Sequence, residues 1–277
     1  MDIDMNAQCN SLMSDNSYIA EDGLPHCKGC GELLVTENVV KIFNRHMPVM
    51  CKCRRDELKR QEEEKEYRNK TEMVNKLRKA SLLGERYKDT SFNTTENTGE
   101  SFRLAMERCK RYCRIASEAL SSGYGMYIYG GSGVGKTHLT ACMCNDLISQ
   151  YKQCLFTSFF EISKLIRATF SFNSDGEEMV KRICDVDFLF LDDIGTERVK
   201  KNGEDSWLQE QVYDIINKRY NNRKPTVFTS NYSLNELITE RGLMEKTVDR
   251  ITEMSTAVIK VSGTSYRQKN IPTAVPF

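Results

Sequence analysis

The stretch "YIYGGSGVGKTHL", residues 127–139, constrains what this chain can fold into more than any other. Apolar residues run into a glycine-rich turn, which ends in Lys136 and Thr137 where a helical pattern begins. Gly130, Gly135, Lys136 and Thr137 fit the spacing of a phosphate-binding loop set between a strand and a helix. The glycines, Gly133 among them, let the backbone wrap closely round phosphates. Lys136 can reach the terminal phosphates and Thr137 can hold Mg²⁺ through its hydroxyl. The free N–H groups at the start of the following helix point at the same anion. The expected ligands are ATP or ADP with Mg²⁺.

The rest of the C-terminal region supports such a unit. Short apolar runs recur as "MYIYG", "CLFTSF", "VDFLFLDD", "TVFTSN" and "STAVIKVSG". Helical patterns separate them, including Phe102, Ala105, Cys109, Ala116 and Leu120 in one amphipathic helix closed by "SSG". Trp207, Leu208, Val212, Ile215 and Ile216 mark another. Buried strands alternating with helices predict an α/β fold with a parallel sheet. "FLFLDD" closes its strand with two carboxylates: Asp192 suits a magnesium shell, and Asp193 suits orienting or deprotonating an attacking water. "TVFTSN" ends in Asn231, placed to position the lytic water or sense a γ-phosphate, although an isolated asparagine there also caps a turn. Arg250 in "KTVDRITEM" and Arg267 in "GTSYRQ" are cations at element boundaries, where solvation or a local salt bridge is the plain alternative.

The N-terminal third has a different character. Residues 1–22, rich in Asp, Asn and Ser, read as a flexible tail, and a compact module follows at 23–53. Within it, Cys27 and Cys30 of "CKGC" and Cys51 and Cys53 of "CKC" form two close pairs that can converge as four thiolates round tetrahedral zinc. Gly29 and Gly31 relieve crowding at the first pair, and His26 and His46 stand nearby as substitute ligands. A module this small has little core, and structural zinc contributes roughly 10–16 kcal/mol of apparent folding stability. The odd count of 11 cysteines argues against a disulfide scaffold, and those in helical patterns, such as Cys109 and Cys142, read as small buried hydrophobes. Residues 54–100 read as a charged helix followed by linker, leaving 101–277 for the ATPase domain. A net charge of +1 argues against a strongly basic nucleic-acid coat and leaves local basic patches open. No apolar run approaches the roughly 20 residues of a membrane span, and the first residues do not resemble a secretory signal, so a cytoplasmic protein is expected.

Taken in order, "GGSGVGKTHL", "FLFLDDIGTE", "IINKRYNNRKPTVFTSN" and "GTSYR" resemble the bacterial DnaC/DnaI-type helicase loaders of the AAA+ superfamily, which include phage-encoded relatives. The resemblance covers about residues 84–270. It implies the sensor 1 position for Asn231, the arginine finger that completes a neighbouring subunit's site for Arg250, and the sensor 2 arginine for Arg267. The chain ends ten residues after Arg267, so the C-terminal helical lid of many AAA+ proteins is expected to be absent. Asp193 stands where many AAA+ ATPases have Glu, which implies slow turnover. The resemblance further implies self-assembly through the AAA+ domains, binding of a hexameric replicative DNA helicase by the zinc module, and contact with single-stranded DNA. "SFFEISKLIRATFSFNSDG", with Lys164, Arg167, Phe170 and Phe172, mixes bases and aromatics in a way that suits such contact, although the aromatics serve equally as core. Lys200 and Lys201 add a basic loop. Two alternatives share these features: a transposition-helper ATPase, and a regulator that binds a helicase without loading it.

Overall fold

With few large apolar side chains to bury, the described residues ahead of Lys52 build little regular structure. The computed structural model describes residues 16–38, 40, 46–95, 99–169, 174–196 and 204–266. Two short strands, β1 (Ser17–Ile19) and β2 (Pro25–Cys27), pair antiparallel, and isolated bridges join His26 to Leu33 and Val35 to Pro48. The helix-forming run seen in the sequence becomes α1 (Lys52–Ala80), with none of its residues buried. Glu–Lys and Glu–Arg pairs three or four apart line it, including Glu66–Lys70 and Arg60–Glu57. The chain divides into two compact units, Met1–Glu72 and Met73–Phe277, and the division falls inside this helix.

In the second unit the apolar runs form one sheet of five parallel strands. They are β3 (Gly125–Tyr129), β4 (Cys154–Ser158), β5 (Phe188–Ile194), β6 (Thr226–Ser230) and β7 (Ser255–Lys260), in the order β4-β5-β6-β3-β7. Helices α2 (Glu100–Arg114), α3 (Ala116–Ser122) and α4 (Lys136–Ser149) lie on one face. The other face is covered by α5 (Phe159–Thr169), α6 (Ser174–Asp185), α7 (Glu204–Asn221), α8 (Leu234–Thr239) and α9 (Glu245–Met254). Strand side chains alternate between the two layers: Met126, Ile128, Phe188, Phe190 and Val227 face the first, and Tyr127, Leu189, Leu191 and Phe228 the second. Each fully buried side chain of this size contributes about 1.5–3 kcal/mol of burial free energy.

Two local features differ from the sequence reading. The amphipathic helix over 102–120 is broken at Ile115, whose backbone (φ −97°, ψ 23°) leaves the helical region between α2 and α3. The stretch after Gly84, read as linker, packs against the core through Tyr87 and Phe92, beside buried Leu83. Its backbone is held by Asn145, whose Nδ2 donates to the carbonyls of Tyr87 and Thr90 at 2.9 Å each. Scattered aromatics in a polar stretch have no period, so the sequence gives no sign of this packing.

Candidate functional site

Parallel strands end at one edge of their sheet, and a crevice there is where such folds bind ligands. The turn from β3 into α4 opens at this edge. Gly130 has φ +151°, and a Cβ on it would lie 1.9 Å from the carbonyl oxygen of Val261, just past β7. Gly133 (φ +79°) is equally confined, because a Cβ would meet Ser265 Oγ at 2.1 Å, and its carbonyl accepts from the Tyr266 N–H at 2.9 Å. Gly135 precedes α4 and rests against the Phe102 ring.

Lys136, 6% exposed, donates from Nζ to the carbonyls of Gly130 and Gly131 at 2.9 Å and to Asn231 Oδ1 at 2.7 Å. Asn231 reaches it because β6 lies beside β3 in the sheet, with Tyr129 opposite Ser230. Thr137 Oγ1 donates to Asp192 Oδ2 at 3.0 Å, and Thr229 Oγ1 donates to Asp192 Oδ1. Burial pushes the Asp192 carboxyl above the usual carboxylate range, opposed by the hydroxyls of Thr229 and Thr137 and by the Lys136 charge. A hydroxyl and a carboxylate held together in this way, next to a phosphate loop, fit the shell of a Mg²⁺ ion. Asp193 takes a left-handed conformation (φ +61°) where the β5–β6 register shifts, and its N–H donates to Thr229 Oγ1 at 3.0 Å. That twist leaves its carboxylate exposed and lining the cleft.

The cleft has a volume of about 430 Å³ and runs from Asn231 and the phosphate loop to Arg86, Tyr87, Thr95, His138 and Tyr266. The sequence assigns a role to none of this second group, nor to Thr229, although His138 and Tyr266 lie inside quoted motifs. His138 bonds Thr95 Oγ1 at 2.9 Å, and its imidazole pKa is held down, first by burial and then by the Arg86 charge. Arg250 is not brought to this cleft. Its Nε donates to Asn217 Oδ1 at 3.1 Å, its guanidinium lies 4.6 Å from the Tyr220 ring centroid, and Glu253 pairs with it. Arg267 lies outside the described residues, directly after Tyr266 of the cleft wall.

In the first unit, Cys27, Cys30, Cys51 and Cys53 form one group whose sulfurs all lie within 4.8 Å of one another. Zinc–sulfur bonds of about 2.3 Å in a tetrahedron set sulfurs roughly 3.8 Å apart, so the group fits that ion. The backbone N–H groups of Cys30 and Gly29 favour a Cys27 thiolate, bringing its pKa down to about 6, while bonds to its three neighbours push Cys53 up. Four such thiols cannot all ionise without a cation among them. His26 is engaged elsewhere, with Nδ1 on the Gly31 carbonyl and Nε2 on Asp22, and His46 bonds the Thr36 carbonyl. Of the residues considered for DNA contact, Lys164 pairs with Glu161 at 3.0 Å and stands 4.1 Å from the Phe160 ring centroid. The side chains of Arg167, Phe170 and Phe172, and the whole of Lys200 and Lys201, lie outside the described residues.

A family described as IstB-like ATP binding protein matches residues 58–274. The chain belongs to this family. The chain is also similar to the replicative helicase loader DnaC of Escherichia coli (strain K12), 24% identical over 185 residues, which are 66% of this chain and 71% of DnaC. The phage-like element PBSX protein XkdC of Bacillus subtilis (strain 168) is 26% identical over 253 residues, 87% of this chain and 82% of XkdC, a match long enough to reach ahead of Met73. A crystal structure of the DnaC helicase loader superposes with a TM-score of 0.56 at 26% identity, covering 64% of this chain and 100% of that one. The second unit therefore has the α/β fold of the DnaC-like AAA+ proteins, and the family it belongs to is described as ATP-binding. No helix among the described residues is long and apolar enough to cross a membrane.

Proposed function

We propose that this chain is an ATP-controlled loader that binds a hexameric replicative DNA helicase and helps place it on single-stranded DNA. The observation that carries the reading is the presence, on one chain, of a DnaC-like ATPase core and a four-cysteine centre ahead of it. Residues 23–53 would bind the helicase, and ATP would govern assembly and release.

At the cleft, Lys136 would exchange its carbonyl and Asn231 partners for the phosphates, and Thr137 and Asp192 would hold Mg²⁺. Bound there, the metal would supply charge neutralisation at the phosphate oxygens. Asp193 orients or deprotonates the attacking water, with Asn231 positioned beside it. Arg250 acts on a neighbouring subunit's nucleotide, which agrees with its standing outside the lining of the cleft in its own chain, and Arg267 serves as the sensor 2 arginine. Cys27, Cys30, Cys51 and Cys53 would hold zinc as four thiolates, which would tie the first unit together.

The IstB-like description of the family favours a second reading, a transposition-helper ATPase. Affinity capture from a bacterial lysate with the full chain, with and without a zinc chelator, separates the two. Chelator-sensitive capture of the replicative helicase is expected. Capture of a transposase in its place establishes the second reading, and helicase capture without any gain in helicase loading on single-stranded DNA leaves a binding regulator.

A further inference from the structure

A second cleft of about 540 Å³ opens in the Met73–Phe277 unit, on the other side of the stretch that walls the nucleotide cleft. The end of α1, the C-terminal halves of α2 and α4, and residues 88–93 surround it. Four cations line it, Arg78, Lys88, Lys110 and Arg114, against the carboxylates of Asp89 and Asp146. Lys88 already pairs with Glu85 and Lys110 with Glu107, whereas neither arginine has an ion-pair partner among the described residues. Arg78 Nε is buried and has no hydrogen-bond partner among the described residues.

Asn145 adds a different requirement. It is 9% exposed and spends its Nδ2 hydrogens on the carbonyls of Tyr87 and Thr90, which leaves Oδ1 buried and unpartnered among the described residues. Buried polar atoms are nearly always satisfied, so each such atom calls for a partner. The wall thus offers guanidinium donors suited to a phosphate, and one acceptor that the unprotonated oxygens of a phosphate leave unsatisfied. A sugar hydroxyl or a base N–H can, and Phe92 supplies an apolar surface beside it.

We propose that this cleft binds a nucleoside phosphate, separately from the nucleotide at the phosphate loop. Arg78 and Arg114 hold the phosphate and Asn145 Oδ1 accepts from the nucleoside. The cleft volume falls within the ordinary range for small-molecule sites. Thr90 lines both clefts, and Asn145 holds the backbone of the shared wall, so each ligand alters the affinity for the other by the same factor.

The test titrates the full chain, its phosphate loop saturated with a non-hydrolysable ATP analogue, with dTMP in one arm and a thymidine oligonucleotide in the other. Saturable binding is expected in at least one arm, and Arg78→Gln/Arg114→Gln should weaken it at least about tenfold. A preference for dTMP identifies a free nucleotide, and a preference for the oligonucleotide identifies a strand as its source. Arg114→Gln alone, at an exposed position, should give a smaller loss with an unchanged melting temperature. Absence of saturable binding in both arms, undiminished binding by the double variant, or pyrophosphate binding as tightly as dTMP would overturn the proposal. Titration of the ATP analogue alone reports the phosphate loop independently.

Discussion

Lys136→Ala deletes a buried ammonium bonded to two loop carbonyls and to Asn231. Loss of a charged hydrogen-bonding group facing phosphate should weaken ATP binding by about 10- to 100-fold. Nucleotide titration checks this, and unchanged affinity would mean the phosphates sit elsewhere. Asp193→Asn is the sharper test of chemistry, because asparagine tolerates the left-handed backbone at φ +61° while losing the charge. ATP affinity should stay within a few-fold and hydrolysis should fall by about 10²–10⁴. His138 adds a pH dependence. Its folded pKa lies below the unfolded value near 6.5, so the unfolded chain binds the proton more readily. The His138 contribution to stability is complete above that value and is lost as pH falls through the lower folded pKa. Melting temperature measured against pH should therefore decline less steeply on the acid side in His138→Gln.

Between elements, Arg219 is a heavily committed side chain among the described residues. It is 0% exposed on α7, yet it donates to the carbonyls of Ile183, Cys184 and Val186 at the end of α6 and of Pro225 before β6, and to Thr226 Oγ1. Burial lowers its pKa to about 9. A planar fork is needed to meet these acceptors, so neither Lys nor Met replaces it. Arg219→Met should lower unfolding free energy by roughly 3 kcal/mol or more, read from the denaturant midpoint, because several buried carbonyls lose their donor. The cysteine centre ties β2 to the start of α1 in the same way. Cys27→Ser/Cys30→Ser should remove one zinc equivalent by metal analysis and weaken helicase capture, while ATP titration of the second unit is unchanged. Normal zinc content would defeat the four-thiolate centre.

At the scale of an assembly, the role proposed for Arg250 predicts that sites are completed between subunits. Within its own chain it is held by Asn217, Tyr220 and Glu253 and does not line the cleft. An arginine finger stabilises charge on the transferred phosphoryl group, so Arg250→Ala should reduce hydrolysis far more than ATP binding. Mixing Arg250→Ala subunits with Lys136→Ala subunits should restore some hydrolysis that neither performs alone. With assembly of both variants and ATP binding by the first established, absence of complementation at every ratio would leave Arg250 a local structural role.

The phosphate loop, the five apolar runs and the paired cysteines were legible in the sequence because each is a local pattern. A turn that wraps a phosphate, a strand buried on both faces and a metal knuckle all write their geometry into adjacent residues. What joins them is not local. Lys136 meets Asn231 across 95 residues and Thr137 meets Asp192 across 55, since the strand order puts β6 beside β3 and brings β5 next to it. The wall of Arg86, Tyr87 and Thr95 came from a stretch that reads as linker, because its residues are packed by Asn145 and the core rather than by any repeat of their own. Arg219 likewise reads as one more charged residue at a helix end, and its burial follows from where α6 and β6 meet. Spacing along the chain determined which groups were available for chemistry. Tertiary structure alone decided which of them touch, because burial selects contacts between faces, and faces come together only when the sheet is assembled.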